Sequence, residues 1–373
     1  MVREIPFSGP DITDNEIGLV EKVIRSGWLA HGKYSTRLED LFCEFTGARF
    51  ASTVSNCTAG LHLSCIAAGF GTGDEVIVPA QTHVATAHAV EYTNATAVFA
   101  DVDPITGNLT VEEIKKKLSS VTKGVVPVHM AGYPCDIPAI VNLCEENNLI
   151  LIEDCAHALG TTIKGVHAGN YGISGNFSFY PTKQITTGEG GVIISNDEKI
   201  IDEVKKLKAF GIDTPPEMRS KPGLYDVKGL GYNYRMTDFQ AALGSGQMER
   251  YGENLKKRKR NGKYYTELLA SKEGVSFPKY SDNNSYFLFQ VILDEKIDRD
   301  FVLLKLKEKG VGVSIHYATP VPLMSYYRQK YGFVKDNFPN AVYYGDQSIS
   351  LPVHSKISKN DIEYICAIIR SSI

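Results

Sequence analysis

An unbroken apolar run, Leu149-Ile150-Leu151-Ile152, ends in two carboxylates, Glu153-Asp154, and constrains the fold of this chain more than any other segment. A strand with one wet face alternates apolar and polar residues. A run without alternation belongs to a strand covered on both faces, as in a parallel sheet between two helix layers. Similar strand segments occur at residues 75–78, 97–102 and 124–129, separated by helical stretches. This alternation, continued to about residue 200, predicts an α/β fold with a mostly parallel central sheet flanked by helices.

Thr13-Asp14-Asn15-Glu16 reads as a capping box, followed by Ile17, Val20, Val23 and Ile24 on one helical face and Gly27 as terminator. Leu38, Leu41, Phe42 and Phe45 repeat that spacing up to Gly47. Beyond Met236 the pattern changes to long helices. From about Val275 a smaller unit is expected, with strands at 286–293 and 311–316 and helices at 300–309 and 360–370. The expected division is a large α/β domain over residues 1–250 and a small C-terminal α/β domain over 251–373. At 373 residues the chain exceeds what a single core fills, about 250–300 residues.

Three segments carry candidate chemistry. Lys183 follows Phe177-Ser178-Phe179-Tyr180-Pro181-Thr182 and leads into the glycine-rich stretch 186–191. A lysine in a crowded, partly apolar setting has a lowered pKa and can form a Schiff base with an aldehyde cofactor. Asp154 stands at the C-terminal edge of a buried strand, where open α/β sheets bind ligands. An acid there can pair with a pyridine nitrogen and keep a pyridoxal ring protonated. In Ser55-Asn56-Cys57-Thr58-Ala59-Gly60, a strand end passes into a helix whose first N–H groups face an anion such as phosphate. Ser178 offers a hydroxyl to the same group. Alone, a turn lysine is ordinarily solvated and an aspartate after a strand ordinarily caps a helix; the order and spacing of all three carry the reading.

The chain resembles the nucleotide-sugar aminotransferases of the DegT/StrS group, within the fold-type I pyridoxal-phosphate (PLP) enzymes. The resemblance runs from Gly27-Trp28-Leu29 to Leu351-Pro352-Val353-His354. Its most specific pieces are residues 177–191 and Gly231-Tyr232-Asn233-Tyr234-Arg235-Met236. It implies that Lys183 carries the pyridoxal 5'-phosphate cofactor, that Asp154 pairs with its ring nitrogen, and that Cys57, Thr58 and Ser178 hold its phosphate. It also implies that His157 lies against the cofactor and that Asn233 reaches the phosphate of a partner subunit, so the sites are completed in a homodimer. The family usually places Phe, Tyr or Trp over the pyridine ring where this chain has His83; an imidazole stacks with less area, and a histidine there can also serve simply to start a helix. Trp28, His316 and Tyr317 are implied to border the sugar nucleotide, although Trp28 also reads as a packing residue and His316 as a structural histidine.

The expected reaction is ping-pong transfer of an amino group from an amino-acid donor, L-glutamate by resemblance, to a keto nucleotide sugar. Resemblance to perosamine-type enzymes favours a 4-keto-6-deoxy sugar; a 3-keto substrate is the alternative, and the nucleotide carrier is open. Related dehydratases carry histidine in place of Lys183. A PLP-binding regulator would need a DNA-binding element, and neither a basic recognition helix nor an added domain is visible. The charge balance, 40 basic against 43 acidic residues, shows no nucleic-acid footprint. No apolar run reaches the roughly 18 residues of a membrane span. The N-terminus lacks the apolar core of a secretion signal, so a cytoplasmic location is expected. Seven cysteines without a Cys-x-x-Cys pair read as reduced thiols, with no metal site indicated.

Overall fold

A computed structural model describes residues 4–213 and 220–373. Residues 1–3, on which the secretion-signal reading partly falls, lie outside the described residues. The large sheet contains β1 (Phe50–Val54), β2 (Glu75–Pro79), β3 (Thr96–Ala100), β4 (Thr122–Val125) and β5 (Ile150–Asp154). A short hairpin of β6 (Thr162–Ile163) and β7 (Val166–His167) intervenes before β8 (Ser174–Ser178) and β9 (Gly191–Ser195) complete it. Their spatial order is β1-β9-β8-β5-β4-β2-β3. Only β9 runs against the others, so the sheet is mostly parallel as expected.

Both faces of this sheet are covered, which is the physical reason for the unbroken run in β5. Leu151 packs into one core with Leu38 and Phe42 of α2 (Lys33–Thr46), while Ile152 packs into another with Leu61 and Cys65 of α3 (Cys57–Ala67) and Ala87 of α4 (Val84–Glu91). Gly47 closes α2 with φ +73, a conformation that favours glycine. Among the described residues no helix is long and apolar enough to cross a membrane.

The capping box at α1 (Asp14–Ser26) is present: the Glu16 carboxylate accepts from both the N–H and the hydroxyl of Thr13. Its apolar face differs from the expected one. Val23 is buried, but Ile17 and Ile24 are 57% and 58% exposed. The helix instead seats Glu16 and Leu19 against Gly246, and the buried Glu16 pairs with Arg250 at 2.9 Å.

The smaller sheet is antiparallel, with β10 (Val275–Ser276), β11 (Phe289–Leu293) and β12 (Ser348–Leu351) in that order. Its core includes Tyr265, Leu306 and Ile365 from the helices spanning Tyr251–Leu269, Arg299–Glu308 and Lys359–Ser372, together with Ile5 near the N-terminus. The strand expected at 286–293 starts later, because Tyr286 takes a left-handed conformation at φ 49. That expected at 311–316 is not a ladder. It makes single bridges, Val311 to Ile5 and Ser314 to Ser350, because the N-terminal segment crosses tightly over Gly312.

Candidate active site

Residues that follow the C-terminal ends of β1, β2, β5 and β8 line a cavity of about 650 Å³. The lining includes Cys57, Thr58, His83, Asp154, His157, Ser178, Lys183, His316 and Tyr317, nine of the residues singled out from the sequence. Trp28 and Asn233 are not brought there.

Lys183 lies five residues beyond β8, its N–H donating to the Tyr180 carbonyl at 2.9 Å. Its amine sits 4.5 Å from the centre of the Phe287 ring, an apolar neighbour that sequence patterns did not single out. Burial lowers the Lys183 pKa to about 8, against the opposing pull of Cys57 and Asp154. Roughly a tenth is therefore the neutral, nucleophilic amine at pH 7, against far less for an ordinary lysine.

Asp154 ends β5 and is buried. One oxygen accepts from the Ala156 N–H at 3.1 Å and the other from the Thr86 hydroxyl at 2.8 Å. Burial raises its pKa, while those two donors and the nearby Lys183 and His83 restrain the rise. Such a carboxylate is poised to take a cationic ring nitrogen as partner. The preceding residue, Glu153, points the other way along the strand, as the two-residue period requires. It accepts from His129 Nε2 at 3.0 Å and from the N–H groups of Gly169, Tyr171 and Gly172 at 2.8–2.9 Å. Burial acts to raise its pKa, but these donors bring it below the ordinary value. Cys155 completes a buried cluster with His129 and Glu153 whose ligand-type atoms lie within 4.8 Å of one another.

The anion cradle forms where β1 meets α3. The Asn56 side chain caps the helix by accepting from Ala59 N at 2.8 Å, leaving the N–H groups of Cys57 and Thr58 unused within the helix. The start of β9 must pass close by. A Cβ on Gly191 would come within 2.9 Å of the Cys57 nitrogen and 2.7 Å of the Phe177 carbonyl. With Ser178 also on the cavity wall, these residues fit a phosphate. The Cys57 thiol is not a nucleophile here, since burial pushes its pKa well up.

Three imidazoles and a phenol form the remaining wall. His157 stacks on Phe287 with ring centres 4.4 Å apart, accepts from Ala131 N at 3.3 Å through Nδ1, and meets the Tyr317 hydroxyl through Nε2 at 3.3 Å. Its burial, with Lys183 adjacent, depresses its pKa well below the usual value. His316 bonds Ser350 at 3.1 Å and is lowered to about 3 by burial and by Lys183. Burial likewise pushes Tyr317 up, so it keeps its proton. His83 is the N-cap of α4, its Nδ1 accepting from Ala85 N at 3.2 Å, and its ring meets Tyr317 edge-on. It is thus both a helix-start residue and a cavity residue.

Outside the cavity, Trp28 is 63% exposed and donates to the His31 carbonyl at 3.0 Å. Asn233 is exposed beside Arg235, whose Nε lies 3.4 Å from the Asn233 amide oxygen. Neither contacts the cavity of its own chain. Thr82, Thr86 and Phe287 joined the site without any signal in the sequence, since a threonine in a helix start or an aromatic in a strand run is most often packing.

Residues 10–370 match the DegT/DnrJ/EryC1/StrS aminotransferase family. The chain belongs to that family. It is 35% identical to the GDP-perosamine synthase of Vibrio cholerae over 98% of both chains. Among solved structures, it superposes on a putative sugar aminotransferase, Spr1654 from Streptococcus pneumoniae in its PMP form, with a TM-score of 0.92. That pair shares 28% identity and covers 99% of this chain and 98% of the other. DesI, crystallised in the presence of its TDP-sugar product, gives a TM-score of 0.88 at 29% identity, covering 99% and 93%. The protein is thus a PLP-dependent nucleotide-sugar aminotransferase with the fold-type I architecture, and the lysine, acid and anion cradle described above fit that cofactor.

Proposed function

We propose that this enzyme transfers an amino group from an amino acid, L-glutamate in our reading, to the keto carbon of a nucleotide-linked 4-keto-6-deoxy sugar. The observation that carries the reading is the Lys183 amine, lowered to about 8, in one cavity with the buried carboxylate of Asp154. Support for the 4-position comes from the likeness to a GDP-perosamine synthase.

Pyridoxal phosphate, when bound, supplies the aldehyde carbon that captures amines and the ring that accepts electrons. Asp154 would hold the proton on the ring nitrogen. Cys57, Thr58 and Ser178 would hold the phosphate, and Lys183 would anchor the cofactor and afterwards take and return the proton at the carbon bearing the amine. His83 would lie over the ring, and His157 would lie against the cofactor while buttressing Tyr317. His316 and Tyr317 would face the sugar. Neutral imidazoles suit that wall, because they orient hydroxyl and keto groups without competing with Lys183 for protons.

A homodimer belongs to this reading, with Asn233 and Trp28 serving the partner's site. Support comes from the exposed apolar side chains of the surrounding segment, Leu224, Tyr225, Val227 and the 83%-exposed Leu230, together with Ile17 and Ile24 of α1. A cytoplasmic location is also part of the reading, in keeping with seven unpaired cysteines.

Hydride reduction of the purified holoenzyme is expected to leave a pyridoxyl group on the peptide carrying Lys183, and a trapped adduct elsewhere, or none, overturns the assignment. Incubation with glutamate and a panel of 3-keto and 4-keto nucleotide sugars, read by mass spectrometry, tests the substrate; product from 3-keto sugars alone refutes the 4-position.

A further inference from the structure

Thr86 occupies the first turn of α4 and is 1% exposed. A helical threonine ordinarily turns its hydroxyl back to a carbonyl three or four residues earlier. This one instead reaches across the fold to Asp154 Oδ2 at 2.8 Å, a partner 68 residues away. Behind it lies a second hydroxyl, Thr82 Oγ1, at 2.7 Å from Thr86 Oγ1.

The direction of this chain follows from its end. An ionised carboxylate only accepts, so Thr86 donates to Asp154, and Thr82 must then donate to Thr86. With the Ala156 N–H on Oδ1, both carboxylate oxygens are held by donors that favour the charged form and fix its orientation.

We propose that Thr86 is a positioning residue for the reaction: its hydroxyl, oriented by Thr82, holds Asp154 ionised and aimed at the cavity, so that the proton shared with a bound pyridine nitrogen stays on nitrogen. This rests on the pairing of Asp154 with that nitrogen. Without the Thr86 hydroxyl, Asp154 becomes a stronger base in the same buried place and draws the proton back.

The test uses holoenzyme loaded with pyridoxal phosphate labelled with ¹⁵N in the ring. In Thr86→Val the nitrogen resonance is expected to move from the protonated towards the unprotonated position, and the affinity of the apoenzyme for the cofactor, measured by fluorescence titration, to fall roughly tenfold. Thr86→Ser should restore both readouts. In an Asp154→Asn background Thr86→Val should change cofactor affinity less than about twofold, because the two act as one unit. A merely structural threonine would instead add its full effect there and leave the resonance in place. A wild-type resonance in Thr86→Val overturns the proposal. Should that variant not fold, Thr82→Val is expected to shift the resonance part of the way in the same direction, and no shift overturns it equally. If Asp154→Asn itself leaves the resonance unchanged, the pairing is wrong and this inference falls with it; if only the Thr86 variants leave it unchanged, the pairing stands and Thr86 has no such part.

Discussion

At the scale of single residues, the site works by desolvating groups whose charged forms solvent would otherwise stabilise. Lys183 shows the cost most directly. In the unfolded chain it titrates near 10.5, whereas in the folded, cofactor-free protein burial brings it to about 8. Between those values the unfolded state holds more protons, so stability rises with pH across that window; below about pH 8 the penalty for the buried ammonium is at its full value, roughly 3 kcal/mol. Replacing the amine by an apolar chain of similar length should remove the penalty. Cofactor-free Lys183→Met is therefore expected to melt above wild type at pH 7, with the difference shrinking towards pH 10.5. Parallel thermal melts at the two pH values check this, and a difference that does not shrink means another group is responsible. The lysine and its acid were legible because each ends a patterned segment. Thr86 was not, because its role depends on which strand end α4 happens to face.

At the scale of elements, β5 carries two opposite tasks on adjacent residues. Asp154 serves the cavity, while Glu153 ties the loop at 169–172 to the strand through three backbone donors and pairs with His129. Truncating Glu153 leaves those donors buried without an acceptor. Glu153→Ala is expected to lose about 3–5 kcal/mol of stability in urea unfolding, whereas a loss below about 1 kcal/mol would show that the loop holds itself in place. The parallel strands and their helices were visible in the apolar runs because both sheet faces are covered. The smaller unit was less visible. Its pairings depend on the N-terminal segment returning over Gly312 and on the left-handed turn at Tyr286, neither of which leaves a periodic trace. On α1 the spacing correctly placed the helix but not its neighbours. A face of Ile17, Val20, Val23 and Ile24 reads as core whether the apolar partner is the same chain or another.

At the scale of the whole molecule, that ambiguity becomes a statement about assembly. Asn233 and Trp28 carry the family motifs yet stand outside the cavity of their own chain, and Asn233 follows closely on a segment, 224–230, rich in exposed apolar side chains. If these residues complete a partner's site across a two-fold axis, each active site draws its lysine from one chain and Asn233 from the other. Mixing two defective variants then separates a shared site from a self-contained one. Lys183→Ala lacks the cofactor-capturing amine, and Asn233→Ala lacks the contact lent to the neighbour. In a mixed dimer one site inherits both lesions and the other inherits neither. Random exchange of equal amounts is accordingly expected to restore roughly a quarter of wild-type turnover per chain, with Lys183→Ala alone inactive and Asn233→Ala alone weakened in cofactor affinity. Turnover on mixing that never exceeds that of the Asn233→Ala protein present would mean that Asn233 acts within its own chain or not at all. The exposed face of α1 and the 224–230 segment would then need a different partner.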